Sequence, residues 1–264
     1  MNVTALLLAD SRFPGGGHAH SGGLEEAASR GLVRTEADLP AFLRNRLRTA
    51  GALAAVFAAV AARPDADWLV LDAELDARTP SAAQRAASRA QGKATARAAK
   101  AMLAAAGETV RESHSLAQGP PAFAELAERT IRHRNATGGD RQFRVARDGD
   151  GQRVAGLLAA VPRPHHCVLL GALAGVPADA ALTAAYLSVS GPASASVRLL
   201  GLDPLLVNAI VAALGPDIAA VAEAAAAAAD LDPADLPAPG SPGLDVLAEE
   251  HDRHHREEVR LFAS

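Results

Sequence analysis

A single cysteine, Cys167, among 264 residues excludes an internal disulfide. Aromatic residues supply only 3% of the chain. Layers of β-strands lean on aromatic and β-branched side chains, so a core poor in rings and built from Leu, Val and many Ala suits closely approaching helices instead. The chain is therefore expected to be all-α. Lysine is almost missing, with Lys93 and Lys100 the only two among 26 basic residues. That bias resembles codon usage, and it makes a lone arginine poor testimony to guanidinium chemistry. A net charge of -4 and a pI near 6.1 leave no overall attraction to nucleic acid. The local basic group Arg129, Arg132, His133 and Arg134 reads as a solvated helix end. Long hydrophobic runs are lacking too. Thr49 to Ala62 falls short of the roughly 20 residues a membrane span needs, and Ala180 to Val197 is interrupted by Gly191-Pro192. Both are expected core helices, so no membrane is implied. The start Met-Asn-Val-Thr has no basic region ahead of its short apolar run, so no secretory signal is expected and the cytoplasm is the expected compartment.

What is present begins with glycine. Gly15, Gly16, Gly17, Gly22 and Gly23 fall within nine residues of the stretch Phe13 to Glu26, with His18, His20 and Ser21 between them. Glycine admits positive φ and close approach of another surface, at about 0.5 to 1 kcal/mol each inside a regular element. Such a loop serves contact or turning. Gly17 to Gly22 satisfies half of a phosphate-binding loop, but Gly23 and Leu24 stand where its Lys and Ser or Thr are required. His18 and His20 alone leave most of a transition-metal shell unfilled. A binding loop remains.

Helical periodicity fills the rest. Thr35 and Asp38 suggest a capping start for a long amphipathic helix through Leu39, Leu43, Leu47, Leu53 and Phe57 to about Arg63-Pro64. A second helix passes through Trp68, Leu71 and Leu75. A third opens at the capping box Ser81-Ala-Ala-Gln84 and is expected to stop at Gly107. Pro120-Pro121 opens a short helix to about His133. Residues 134–153 lose apolar periodicity and read as a mobile insertion, whose Asp148, Asp150 and Gly151 lack EF-hand spacing. Helices are then expected from His165 to Gly175, Pro177 to Ser190, Ala193 to Leu200, Asp203 to Gly215 and Asp217 to Ala229. The expectation is a single-domain bundle of about ten helices, residues 1–229. A Pro-rich linker follows at 230–243, then a C-terminal partner-binding tail at 244–264.

No catalytic set assembles from these residues. Cys167 follows His165-His166, but adjacency along a helix does not bring thiol and imidazole into contact, and a buried structural cysteine is the plainer reading. His251, His254 and His255 fall at i, i+3 and i+4, where a helix would gather imidazoles for nickel or zinc; a solvated polar face or a partner contact is the alternative. Leu261 and Phe262 at a chain end need apolar surface to cover them, from a partner groove or from the chain's own body.

Three stretches in order resemble one family. Pro14 to Glu25 resembles the P-x-G-G-F-S-Y-S-x-G-L-E signature of the urease accessory protein UreF family, with His18 and His20 where Phe and Tyr are usual. Ser196 to Leu202 is similar to its A-V-[KR]-L-x-P-L-G segment, with Gly201 and Asp203 departing. The end His254 to Ser264 resembles its H-E-x-Q-x-x-R-L-F-x-S terminus, matching at Arg260, Leu261, Phe262 and Ser264. The resemblance implies a non-catalytic urease maturation factor without a cofactor. It would pair as a homodimer and bridge the UreD (UreH) scaffold and the UreG GTPase for GTP-dependent nickel insertion into apo-urease. It also implies partner contacts at Gly16, Gly17, His20, Ser21, Gly23, Glu25 and Arg198, and at the four matching tail residues. A stand-alone nickel or zinc carrier using the histidine clusters is the alternative from another class.

Overall fold

Local chemistry starts several helices where side-chain oxygens meet orphan backbone N–H groups. Asn2 accepts from the N–H of Ala5 at 2.8 Å and opens α1, Val3–Ala9. Asp67 accepts from Leu69 and Val70, each at 3.1 Å, and opens α5, Trp68–Ala77. Ser81 accepts from Gln84 at 3.1 Å at the head of α6, Ala82–Leu116. Asp203 accepts from Leu205 at 2.8 Å at the head of α10, Pro204–Ala213. Each such cap is worth about 1 kcal/mol. The remaining helices are α2, Leu24–Ser29; α3, Leu39–Arg46; α4, Ala52–Ala61; α7, Asp150–Ala160; α8, His166–Ala174; α9, Pro177–Leu200; α11, Gly215–Ala227; and α12, Pro242–His254. This computed structural model describes residues 1–116 and 150–254, and every regular element among them is helical. The fold is all-α and single-domain, as composition indicated.

The core is a seam of small residues. Helix α4 buries Ala55, Val56, Phe57, Ala58, Ala59, Val60 and Ala61 and is wrapped by α8, α9 and α11. Gly171 of α8 lies so close to α4 that a β-carbon there would run into the Ala58 carbonyl oxygen. Such backbone approach is what an alanine- and glycine-rich sequence permits. The Arg78 guanidinium stacks over Phe57, 5.7 Å from the ring centroid, and closes one end of the seam.

Four expectations about boundaries need correction. The helix expected from Asp38 to Arg63 is continuous but passes through a π turn, Leu47–Gly51, which re-phases α3 against α4. Gly107 does not stop α6, because one glycine costs only about 1 kcal/mol in a helix whose 35 residues propagate through it. The two helices expected either side of Gly191-Pro192 are one helix, α9, with Pro192 inside it. Residues 150–153, assigned by sequence to the end of the insertion, are the first turn of α7. The rest of that insertion and the helix expected at Pro120–His133 lie outside the described residues.

The Pro-rich stretch 230–243 is hydrogen-bonded to the body. Arg78 donates to the carbonyls of Pro233 at 3.1 Å and Ala234 at 2.8 Å, and Arg63 donates to Ala229 at 3.1 Å. Helix α12 then packs on α6 and α2 through Leu247, Ala248 and His251. Its Glu249 accepts from Ser81 Oγ at 2.7 Å and from the Ala83 N–H at 3.0 Å, so α12 completes the cap of α6. No single described helix is long and apolar enough to cross a membrane.

Candidate functional site

Two glycines shape the loop. Gly22 and Gly23 have φ of 63° and 87°, the left-handed region where a β-carbon is strained, and they turn the chain into α2. Ser21 is buried beneath the turn and receives the Glu25 N–H at 3.4 Å. Leu244 and Leu247 of α12 pack over Gly23.

The loop is held to the bundle by a residue the sequence reading passed over. Pro192 has no N–H, so the carbonyl of Ser188, four residues back in α9, loses its helical donor. Arg46 supplies the replacement: its Nε donates to Ser188 O at 3.0 Å, and its Nη1 donates to Gly22 O at 2.8 Å. One guanidinium thus repairs the proline break and pins the glycine loop across it. Desolvation draws Arg46 down to about 10, which leaves it charged at neutral pH. Nothing local in the sequence marked this role, because its partners Ser188 and Gly22 lie 142 and 24 residues from Arg46 and the arginine-for-lysine bias masked it.

Two cavities meet at this clamp. One, of about 190 Å³, reaches inward past Ser88, His165 and Cys167. The other, of about 620 Å³, is a groove running outward between α1, the loop, α9 and α10, and Tyr186, Arg198 and Leu205 line it. His20, Gly22, Arg46, Gln91, His166 and Leu187 line both. Burial holds the His166 imidazole down at about 4, with the facing His20 adding to the effect. Burial pushes the Cys167 thiol up to about 12, so it is a packed side chain and not a nucleophile.

The expected site residues therefore divide. Gly17, His20 and Arg198 line the outer groove, and Gly16 adjoins it with a φ of 80°. Ser21 and Gly23 are buried and serve the loop's own shape. Glu25 does not reach the groove. Its side chain is 14% exposed and lies under α12, where His251 Nε2 approaches it at 3.9 Å. His254 faces Glu26 and Glu250, each at 3.6 Å, and Arg30 bridges the same two acids at 2.7 and 3.1 Å. The helix places His251 and His254 against separate carboxylates and buries His251. His255, Arg260, Leu261, Phe262 and Ser264 lie outside the described residues.

Among the described residues, one group has metal-ligand spacing: Asp72, Asp76 and His165. A cation already occupies it. Arg89 Nη2 lies 2.8 Å from Asp72 and 2.5 Å from Asp76. His165 Nε2 sits 2.9 Å from Asp76, and its Nδ1 2.9 Å from Ser88 Oγ. That succession has the membership of a hydrolytic triad. Here, however, Ser88 Oγ accepts the His166 N–H at 3.2 Å, and Asp72 accepts the His165 N–H at 2.8 Å, so both oxygens cap α8. The network joins α5, α6 and α8 and holds His166 at the cavity junction.

Known proteins are similar to this chain in sequence. The sequence profile of the UreF family matches residues 33–215. The urease accessory protein UreF of Mycolicibacterium vanbaalenii is 38% identical over 99% of this chain and 98% of its own. The protein of that name from Mycobacterium sp. strain JLS is 37% identical with the same coverage. That from Mycobacterium tuberculosis H37Rv is 35% identical over 95% of this chain and 94% of its own. With a matching profile across the helical bundle and relatives that align from end to end, this chain belongs to the UreF family of urease accessory proteins.

Proposed function

We propose that this chain is a non-catalytic scaffold of urease maturation, working as a cytoplasmic homodimer. It bridges the UreD (UreH) scaffold and the UreG GTPase while nickel is inserted into apo-urease. The observation that carries this reading is the outer groove: α10 has no charged residue, Leu205 is 79% and Leu206 52% exposed, and the groove beside it carries the glycine loop and Arg198. Contiguous apolar surface with a polar rim marks protein contact. The carrier alternative is not favoured by the arrangement of His251 and His254 against separate acids. The tail residues Arg260, Leu261, Phe262 and Ser264 are assigned to the UreD-type scaffold on family resemblance.

The test is reconstitution with partners of this urease system. Arg198→Ala should leave thermal stability nearly constant and shift GTP turnover or urease activation at matched complex occupancy, because a rim charge acts on association more than on folding. Glu25→Ala distinguishes a partner-facing carboxylate from one that only docks α12: the second role lowers stability and leaves turnover alone. Unchanged turnover and activation in both variants would overturn the assignment of those residues. Removal of residues 260–264 should release the scaffold while the chain stays helical by circular dichroism.

A further inference from the structure

The junction of the two cavities has a charge imbalance that folding does not require. Arg46 uses Nε and Nη1 on backbone carbonyls, and among the described residues no carboxylate lies within ion-pairing distance of it. Two imidazoles, His20 and His166, and the carboxamide of Gln91 share the junction. Among the described residues lining either cavity, the single acid is Asp10. Its carboxylate is taken by Arg12, through Nε at 3.0 Å and Nη2 at 2.6 Å. The other charged or titratable groups on the walls are Arg198, His165, Cys167 and Tyr186. None supplies negative charge. The clamp on Gly22 and Ser188 needs donors, which a neutral side chain can also offer; it does not need an uncompensated positive charge facing a cavity.

A partly buried cation without a counter-ion is costly, and proteins pair such groups or leave them for a ligand. A metal ion is the wrong ligand here, since it would add positive charge beside a guanidinium. We propose that the junction of the two cavities, lined by Arg46, His20, His166 and Gln91, binds a small oxyanion of the phosphate or carboxylate class. The anion would enter from the outer groove. It would accept from Arg46 and the Gln91 carboxamide while the imidazoles donate. An anion held there would favour protonated imidazole, opposing the desolvation that keeps His166 neutral.

The experiment uses the full chain without partners, titrated with inorganic phosphate and, separately, acetate, against sodium chloride at matched ionic strength. The expected result is a saturable rise in Tm, about 3 to 6 °C at a tenfold excess over Kd. The His20 and His166 ring resonances should shift with the same saturation. Chloride should produce neither. Gln91→Leu and His166→Phe, which leave the Arg46 clamp in place, should each weaken the oxyanion effect at least tenfold. Arg46→Gln should abolish it if that variant folds. A Tm response that tracks ionic strength alone overturns the proposal. So does stoichiometric broadening of the His20 and His166 signals by nickel with no response to phosphate or acetate, which would make the junction a metal site.

Discussion

Helices α4 and α10 are both ten residues long, both free of charge and both strongly apolar, yet α4 is buried along almost its whole length while α10 buries only Val207. Hydropathy does not separate them; context does. Helix α4 carries Ala at most positions, so α8 and α9 can approach its backbone, and Phe57 fills the space that small residues leave. Helix α10 carries Leu205 and Leu206 near its start, and both project from the bundle beside the groove, whereas Leu53 at the matching place in α4 is buried. Small apolar residues in this chain seal its own core, whereas the large ones on this late helix are left exposed.

The most damaging way to break the comparison is at α4. Phe57→Ala removes the largest fully buried side chain and should cost about 3 to 5 kcal/mol, read by urea denaturation. Gly171→Ala attacks the same seam by overfilling it. The new methyl meets the Ala58 carbonyl, and a loss of about 1 to 3 kcal/mol is expected in the same measurement. Neutral behaviour of Gly171→Ala would show that α4 and α8 can slide apart, which the backbone contact denies.

At the cavity junction the comparison takes a pH-dependent form. His166 is held at about 4, against an unfolded value near 6.5. Below pH 6.5 the unfolded chain takes up a proton that the folded chain refuses, so stability present above that point is lost progressively down to about pH 4. His166→Asn should flatten Tm against pH across that window in buffer free of phosphate and acetate. Equal slopes in variant and wild type would remove His166 as the cause.

Helix identity was legible because period and caps agree. Ser81 and Asp203 mark the heads of α6 and α10 by side-chain chemistry that acts within three residues. What was not legible depends on distant partners. Pro192 was expected to break a helix, and locally it does free a carbonyl; Arg46, far away in sequence, repairs it. The capping box at Ser81 is completed by Glu249 from α12, while Gln84 turns instead to Asp245 at 2.9 Å. Arginines donating to backbone carbonyls recur at Arg63, Arg78, Arg85 and Arg89. A composition that explains arginine as usage bias hides that role. The loop was recognisable as a glycine-rich turn, but Glu25 under α12 and Arg198 on the groove could be separated only in three dimensions.

The docking of α12 is the next, smaller effect. The Ala83 N–H, and then the Ser81 hydroxyl, hold the Glu249 carboxylate below its ordinary range. The stability it contributes is present above the unfolded carboxylate value and is lost as pH falls through the lower folded one. Glu249→Ala should cost about 1 kcal/mol, as loss of an N-terminal cap does, and should loosen α12 in hydrogen exchange before the rest of the bundle. Unchanged protection in α12 would mean that Leu247 and Ala248 alone keep it in place.

The smallest expected effect on folding falls on α10, and it is the one that decides what the comparison means. Leu205→Asp and Leu206→Asp place a charge on side chains already exposed to water, so the isolated chain should keep its stability within about 0.5 kcal/mol. If α10 is the face that meets a second molecule, the same substitutions bring an unpaired carboxylate against apolar surface, and assembly should weaken by at least tenfold while circular dichroism and Tm stay fixed. Sedimentation of the chain alone reads pairing of two copies; co-purification with the urease partners reads the heterologous contact. A large drop in Tm would place α10 with α4, as core whose cover is its own bundle. Unchanged stability together with unchanged assembly in both measurements would leave Leu205 and Leu206 as ordinary exposed leucines and return the contact to the glycine loop and Arg198.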